Sequence, residues 1–395
     1  MEPRVKIIGC GMNCGGSMTA DGKSAVNSAD ILIGAGRILE GFAGLDKEKF
    51  CSYDTKKIAD RICAEKGKAI AVLMSGDCGF FSGSQKLSAE LEKRSVPYKI
   101  IPGIASPVYL CSMLGISWDR LRFVSLHGAR ANIVREVCSN EYVFALIGGE
   151  NDCGSICRKL TEYGRGNAVV FIGENMGYDD EKLTKGKAEE LTDIVTSKLS
   201  SVLIINRDCE KTMRSGIPDD EFIRGKAPMT KAEIRCQVIS KLDIGRSGIC
   251  WDIGSGTGSV SVEMAFRCPV GCVYAVEKDR ESAELSEKNF RKFGCDNVTL
   301  LCGRAEELTD ELPAPDCVFI GGSGGGLSEI VSAAIRKNPS VRIVMTAVTL
   351  ETLRDSECLG EREIVQISAA RAVTAGNYHM LRGENPVFVI RRVVN

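Results

Sequence analysis

Short apolar runs recur along this chain, separated by stretches long enough for helices. The runs at 6–9, 31–34, 69–73, 98–101, 143–147, 169–172 and 201–205 predict strands in the first part. Those at 249–253, 272–277, 297–302, 316–320 and 341–346 predict strands in the second. Strands alternating with helical segments give an α/β architecture, and in the second part a right-handed, doubly wound parallel sheet. The tail breaks this rhythm. The runs at 364–368 and 386–391 have no helical period between them, which predicts an antiparallel pair closing the sheet edge. Between the two parts, 206–220 is polar, carries Gly216 and Pro218 and has no apolar period, so it reads as a linker. The predicted organisation is one unit over 1–205, a linker over 206–220 and a second unit over 221–395.

Bulk properties narrow the field of functions. A chain of 395 residues is long for one domain and comfortable for two. With 51 basic and 52 acidic residues the formal net charge is −1, and no basic-aromatic clustering points to nucleic acid. No apolar run reaches membrane-spanning length, so no membrane partner is expected. The first residues enter a strand at once, so no signal peptide is expected either. The 18 cysteines are scattered, several of them inside predicted strands, where cysteine acts as a small apolar residue. They are expected to stay reduced in a cytoplasm. The pairs Cys10/Cys14 and Cys153/Cys157 have C-x-x-x-C spacing instead of the C-x-x-C usual for zinc, and no metal site is expected.

The densest chemistry lies at 250–258, Cys-Trp-Asp-Ile-Gly-Ser-Gly-Thr-Gly. A buried strand ends in an acid, Asp252, and breaks into a loop with Gly254, Gly256 and Gly258, after which a helix begins. Glycines there let the backbone approach a ligand, and the helix offers free N–H groups. The next strand ends at Glu277, placed to accept hydrogen bonds from a ribose. The pattern suits NAD, FAD or S-adenosylmethionine. The G-x-G-T-G spacing and the preceding acid favour a methyl donor over a dinucleotide, whose pyrophosphate needs a cradle. Thr230-x-x-Glu233 forms the sequence of a capping box before a helix over 232–242.

Four segments in order, 224–231 (Arg-Gly-Lys-Ala-Pro-Met-Thr-Lys), 251–254 (Trp-Asp-Ile-Gly), 315–325 and 347–351, resemble the C15-methylating, decarboxylating domain family of cobalamin biosynthesis. The resemblance implies a Rossmann-like class I methyltransferase fold that binds S-adenosylmethionine. It assigns Asp252, Gly254, Gly256, Gly258, Gly321 and Gly322 to the donor, Glu277 to its ribose, and Ala305 and Glu306 to its adenine. Thr230 would border the donor and act in catalysis. A substrate with many acetate and propionate arms would meet Arg224, Lys226, Lys231 and Arg235, with Ser323 and Gly324 beside it.

In the first part, Gly9-Cys10-Gly11, 75–81 (Ser-Gly-Asp-Cys-Gly-Phe-Phe), 102–106 (Pro-Gly-Ile-Ala-Ser), 125–128 (Ser-Leu-His-Gly) and 174–181 resemble the tetrapyrrole methyltransferase family, and most closely its carbon-5 methylating branch. Met12-Asn13 stand where the family has Pro-Gly, and Cys78 stands where it has proline, which removes backbone rigidity at both places. The resemblance implies a second donor site at Gly9, Gly11, Gly76, Asp77 and Ser106, with His127 on the substrate side as a catalytic residue and Arg130 and Arg135 meeting carboxylates. Asp77 has a local alternative as a helix N-cap. Together the two halves would methylate carbons 5 and 15 of a corrin precursor, with or without cobalt, and remove CO2 from the carbon-12 acetate. The rate would come from alignment, with no protein nucleophile. The competing reading is an RNA or protein methyltransferase fused to a non-catalytic tetrapyrrole-binding module. A homo-oligomer is expected.

Overall fold

The computed structural model describes residues 3–13, 15–126, 132–148, 151–210 and 214–394. The first sheet contains β1 (Val5–Gly9), β2 (Ile31–Gly34), β3 (Glu48–Cys51), β4 (Ile70–Met74) and β5 (Tyr98–Ile101), in the order β3-β2-β4-β1-β5. All its pairings are parallel. A second sheet contains β6 (Arg122–Ser125), β7 (Tyr142–Leu146), β8 (Val169–Glu174), β9 (Lys182–Lys187) and β10 (Ser200–Ile205), in the order β6-β7-β10-β8-β9. Only its β6–β7 pairing is parallel; the other three are antiparallel. The central strands of both sheets are the apolar runs of the sequence. The outer strands β3 and β9 are Glu-Lys-Phe-Cys and Lys-Leu-Thr-Lys-Gly-Lys, largely exposed. Charged edge strands resist pairing with other chains, and for the same reason carry no apolar signal.

The C-terminal sheet contains β11 (Ile249–Ile253), β12 (Cys272–Glu277), β13 (Val298–Cys302), β14 (Cys317–Ile320), β15 (Arg342–Ala347), β16 (Arg362–Ile367) and, after the separate hairpin β17 (Ala370–Ala375) and β18 (Tyr378–Gly383), β19 (Val387–Arg392). Its order is β13-β12-β11-β14-β15-β19-β16. The first five strands are parallel, while β19 runs antiparallel to both β15 and β16. Side chains alternate between faces along each strand. Cys250 therefore joins the cluster packed under helices Ala232–Leu242, Ser259–Arg267 and Arg280–Lys292, while Trp251 joins the cluster under Leu327–Lys337 on the other face. The sheet is doubly wound, as its alternation predicts. The hairpin β17–β18 was not legible, because its every residue is exposed.

The reading of 206–220 as a linker does not hold for its C-terminal end. Ile217 belongs to the core of the C-terminal sheet. The N–H groups of Gly216 and Ile217 both donate to the Glu263 carboxylate at 3.1 Å. The two halves also meet directly. Arg135, on helix Ile133–Ser139, is buried with its guanidinium 3.8 Å from the centre of the Phe266 ring. It donates to Glu210 and to the Phe293 carbonyl, and Lys159 pairs with Asp296 at 2.8 Å. Arg135 is thus a strut between the halves, not a substrate contact. Gly294 fits against Cys138 so closely that a Cβ there would lie 2.7 Å from the thiol sulfur.

Candidate active site

A cleft of about 1280 Å³ opens at the carboxyl ends of β11, β12 and β14. Its floor is the glycine loop. Gly254, Gly256 and Gly258 all have positive φ (72°, 55° and 74°), a region that side chains disfavour. A Cβ on Gly254 would sit 2.5 Å from the carbonyl oxygen of Gly322, so the loop after β11 and the loop after β14 cross with no room for one. At Gly322 itself a Cβ would meet nothing within 4 Å, and it faces the cleft. Glu277 holds the loop from the side: one carboxylate oxygen accepts the Gly256 N–H and the other the Asp279 N–H, each at 2.9 Å.

The floor also carries polar atoms without partners. The hydroxyls of Ser255 and Thr257 are buried, unbonded and part of the cleft lining. Buried polar atoms are nearly always satisfied, so two orphaned hydroxyls beside an open glycine mark a place for a polar ligand. Below them lies Asp252, fully buried, with one oxygen accepting from the Ser261 hydroxyl and the other unpartnered. Burial pushes its carboxyl up to about 7. Asp252 does not line the cleft, and neither does Gly258, where a Cβ would strike the Phe290 ring at 2.6 Å. Both shape the loop from behind.

The remaining predicted residues divide cleanly. Lys226, Thr230, Lys231, Glu277, Ala305 and Glu306 line the cleft, as do Gly321, Gly322, Ser323 and Gly324. Arg224 is exposed and lies outside it. Arg235 is not a substrate contact: it is completely buried, bonded to Glu263 (2.7 Å), Asp219 (3.2 Å) and the Thr230 carbonyl (2.6 Å), and stacked on Phe222. The capping box does not form. Helix Ala232–Leu242 starts where the pattern predicts, but its first N–H is taken by Asp219, and Glu233 pairs with Arg371 instead. Four cationic residues of the wall were missed: Lys278, Arg304, Arg371 and Arg382. Arg304 is matched by Glu306 (2.7 Å), and Arg371 by Glu233 and Glu384.

In the N-terminal half, Gly9–Gly11, 75–81 and 102–106 converge at the ends of β1, β4 and β5, and Gly177 packs against Met12 and Asn13. Gly11 and Gly76 exchange two backbone hydrogen bonds of 3.0 Å. A Cβ on Gly103 would lie 2.3 Å from the Gly76 carbonyl oxygen and one on Gly9 2.6 Å from the Gly103 nitrogen. Asp77 caps no helix: its oxygens accept the N–H groups of Gly79 (2.7 Å) and Gly103 (2.9 Å), binding two loops together. Ser106 opens helix Ser106–Leu114. Cys78, in the place of proline, is buried, and burial raises its thiol to about 12. Arg37, which the sequence did not single out, donates to Ser75 (3.1 Å) and to the Tyr178 hydroxyl (2.8 Å), spanning two of the motif loops. His127 and Arg130 lie outside the described residues.

Comparison with known proteins now bears on both halves. Residues 221–393 match the precorrin methyltransferase domain, and residues 4–192 match the tetrapyrrole (corrin/porphyrin) methylases. A probable cobalt-precorrin-6B C(15)-methyltransferase (decarboxylating) from Pyrobaculum calidifontis is 44% identical over 183 residues, spanning 44% of this chain and 94% of that protein. The chain belongs to the precorrin methyltransferases. Another relative in that family covers almost the whole length. The precorrin-6Y C(5,15)-methyltransferase [decarboxylating] of a Sinorhizobium species is 26% identical over 388 residues, 95% of this chain and 93% of that one. A crystal structure of precorrin-6y C5,15-methyltransferase from Geobacter metallireducens GS-15 is 40% identical, with a TM-score of 0.43, covering 45% of this chain and 95% of the other. In this precorrin methyltransferase chain the glycine loops of both halves fall within the matched ranges. The cationic wall does not come from a contiguous motif: its members lie on five separate segments, brought together by the sheet order and by the separate hairpin β17–β18.

Proposed function

We propose that the chain is a two-site methyltransferase of corrin biosynthesis, methylating carbons 5 and 15 of a precorrin-6B-type substrate and removing one acetate carboxyl as CO2. One observation carries the reading. The crossed glycine loops at 254–256 and 321–322 are flanked by Glu277 and open into a cleft with two orphaned hydroxyls and a cationic wall. The near full-length likeness to a fused C(5,15)-methyltransferase supports two activities in one chain.

The residues fit S-adenosylmethionine. Bound there, it supplies an electrophilic methyl group on a sulfonium sulfur. Glu277 is placed for the ribose, Ala305 and Glu306 for the adenine, and Ser255 and Thr257 offer hydroxyls to the remaining polar atoms. Glu277 does this while already fixing the Gly256 N–H, so the loop is ordered before a ligand arrives. The chain's main contribution is alignment, since the electron-rich macrocycle supplies its own carbon nucleophile. Lys226, Lys231 and the arginines of the wall would hold the carboxylate arms. In the N-terminal half, Gly9, Gly11, Gly76 and Ser106 form the second donor site of this proposal, with Asp77 setting the loop shape. The units proposed for the two activities are 1–205 and 221–395.

The test is the product mass after incubation with S-adenosylmethionine and precorrin-6B, with and without cobalt. Two methyl groups gained with one CO2 lost supports both activities, and the preferred form identifies the metal state of the substrate. One methyl gained with CO2 lost restricts the chemistry to the C-terminal half. No change in either form overturns the corrin reading in favour of an RNA or protein substrate.

A further inference from the structure

The hairpin β17–β18 adds no strand to the seven-stranded sheet, and a lone hairpin is marginal in water. It nevertheless forms one wall of the cleft, through Arg371, Val373, Arg382 and Gly383. Its register explains which side does so. Arg371 faces Arg382, Val373 faces Met380, and Ala375 faces Tyr378 across the hairpin. Directly opposed residues share one face, so the arginines sit at the cleft end of a strip that continues outward through Val373, Met380 and Tyr378. Those three are 39%, 59% and 77% exposed.

Two like charges placed directly opposite each other destabilise a hairpin. Arg371 is compensated by Glu384 at the hairpin root and by Glu233, which also ties the hairpin to helix Ala232–Leu242. Arg382 has no hydrogen-bond or ion-pair partner among the described residues. The face is therefore an exposed apolar strip ending in an uncompensated guanidinium that lines the cleft. At about 1280 Å³ the cleft exceeds the ~300–1,000 Å³ of an ordinary small-ligand site.

We propose that this face is the recognition wall for the macrocycle of the C-terminal site. Val373, Met380 and Tyr378 cover the flat apolar ring, and Arg382 binds one of its peripheral carboxylates. This rests on the tetrapyrrole reading above and adds an element and a specificity residue to it. The donor residues lie on other elements, at 254–257 and Glu277 on the floor of the cleft, so donor and macrocycle binding separate experimentally.

The experiment compares full-length wild type with Arg382→Ala, Arg382→Lys and a Tyr378→Ser/Met380→Ser double variant. Three quantities are read: S-adenosylhomocysteine affinity by calorimetry, KM for the tetrapyrrole in the carbon-15 reaction, and kcat. Loss of one charge-assisted contact is expected to raise KM about tenfold in Arg382→Ala. Lysine should recover part of this, the double variant should raise KM as well, and S-adenosylhomocysteine affinity should stay within about twofold throughout. An unchanged KM in Arg382→Ala and in the double variant, with an active wild type, overturns the hairpin proposal alone. Equal losses of S-adenosylhomocysteine and tetrapyrrole binding also overturn it, since they show a general distortion. A wild type that binds S-adenosylhomocysteine but turns over no tetrapyrrole overturns the functional reading and this proposal with it.

Discussion

Asp252 is the residue whose environment differs most from what its position in a glycine motif suggests. It is fully buried, and burial outweighs the Ser261 hydrogen bond, raising the carboxyl to about 7 from 3.8. The folded state then holds its proton more tightly than the unfolded state does. This contribution to stability is complete below pH 3.8 and is lost as pH rises towards 7. Asp252→Asn removes the titration, so urea unfolding at about pH 5 and about pH 8 should show a smaller loss of stability on going to the higher pH than wild type shows. The glycines of the crossed loops make a sharper pair. Gly254→Ala places a Cβ against backbone at positive φ and should cost about 1–3 kcal/mol, read by thermal unfolding. Gly322→Ala meets only open cleft, so stability should change by less than about 0.5 kcal/mol while S-adenosylhomocysteine affinity falls. These glycines were legible because a strand–loop–helix motif is local. The burial of Asp252 was not, because it depends on the helix that packs over it.

At the scale of elements, the segment before helix Ala232–Leu242 is held by a buried ionic cluster. Arg235 binds Glu263, Asp219, the Thr230 carbonyl and the Ile217 carbonyl at once. Removing one partner of a buried pair strands the others, so Arg235→Met should lose about 3–5 kcal/mol in urea unfolding. Because Thr230 and Pro228 border the cleft, S-adenosylhomocysteine affinity should fall with it. The sequence placed the helix start correctly but chose a local cap. Asp219, thirteen residues from Ala232, won the position because the chain folds back on itself, and no nearest-neighbour pattern encodes that. The same blindness applies to β3, β9 and the hairpin. Their charges and exposure serve the surface, and the continuous apolar run that reveals β11 or β14 is absent from them. Arg235 and Arg135 read as cations free to meet substrate carboxylates because the acids and rings that receive them come from distant elements.

Across the whole molecule, the halves are joined by more than a chain connection. Arg135 enters from the N-terminal half, takes Glu210 from the intervening segment, and meets the Phe266 ring and the Phe293 carbonyl of the C-terminal half. Lys159 and the buried Asp296 add a second contact, in which burial raises the Asp296 carboxyl despite the lysine. Calorimetry should show a single coupled unfolding transition for wild type and a broadened or divided one for Arg135→Ala, with the lower component reporting the less stable half. Since the joint is built from both sides, the halves are not interchangeable parts. A chimaera that grafts 1–205 onto another C-terminal portion keeps this joint only where that portion supplies a ring and a carboxylate to receive Arg135 and Lys159. Helix Ile133–Ser139 and the loop at 293–296 must cross any such graft together, which makes the seam between the sheets, and neither sheet alone, the unit that evolution or an engineer can swap.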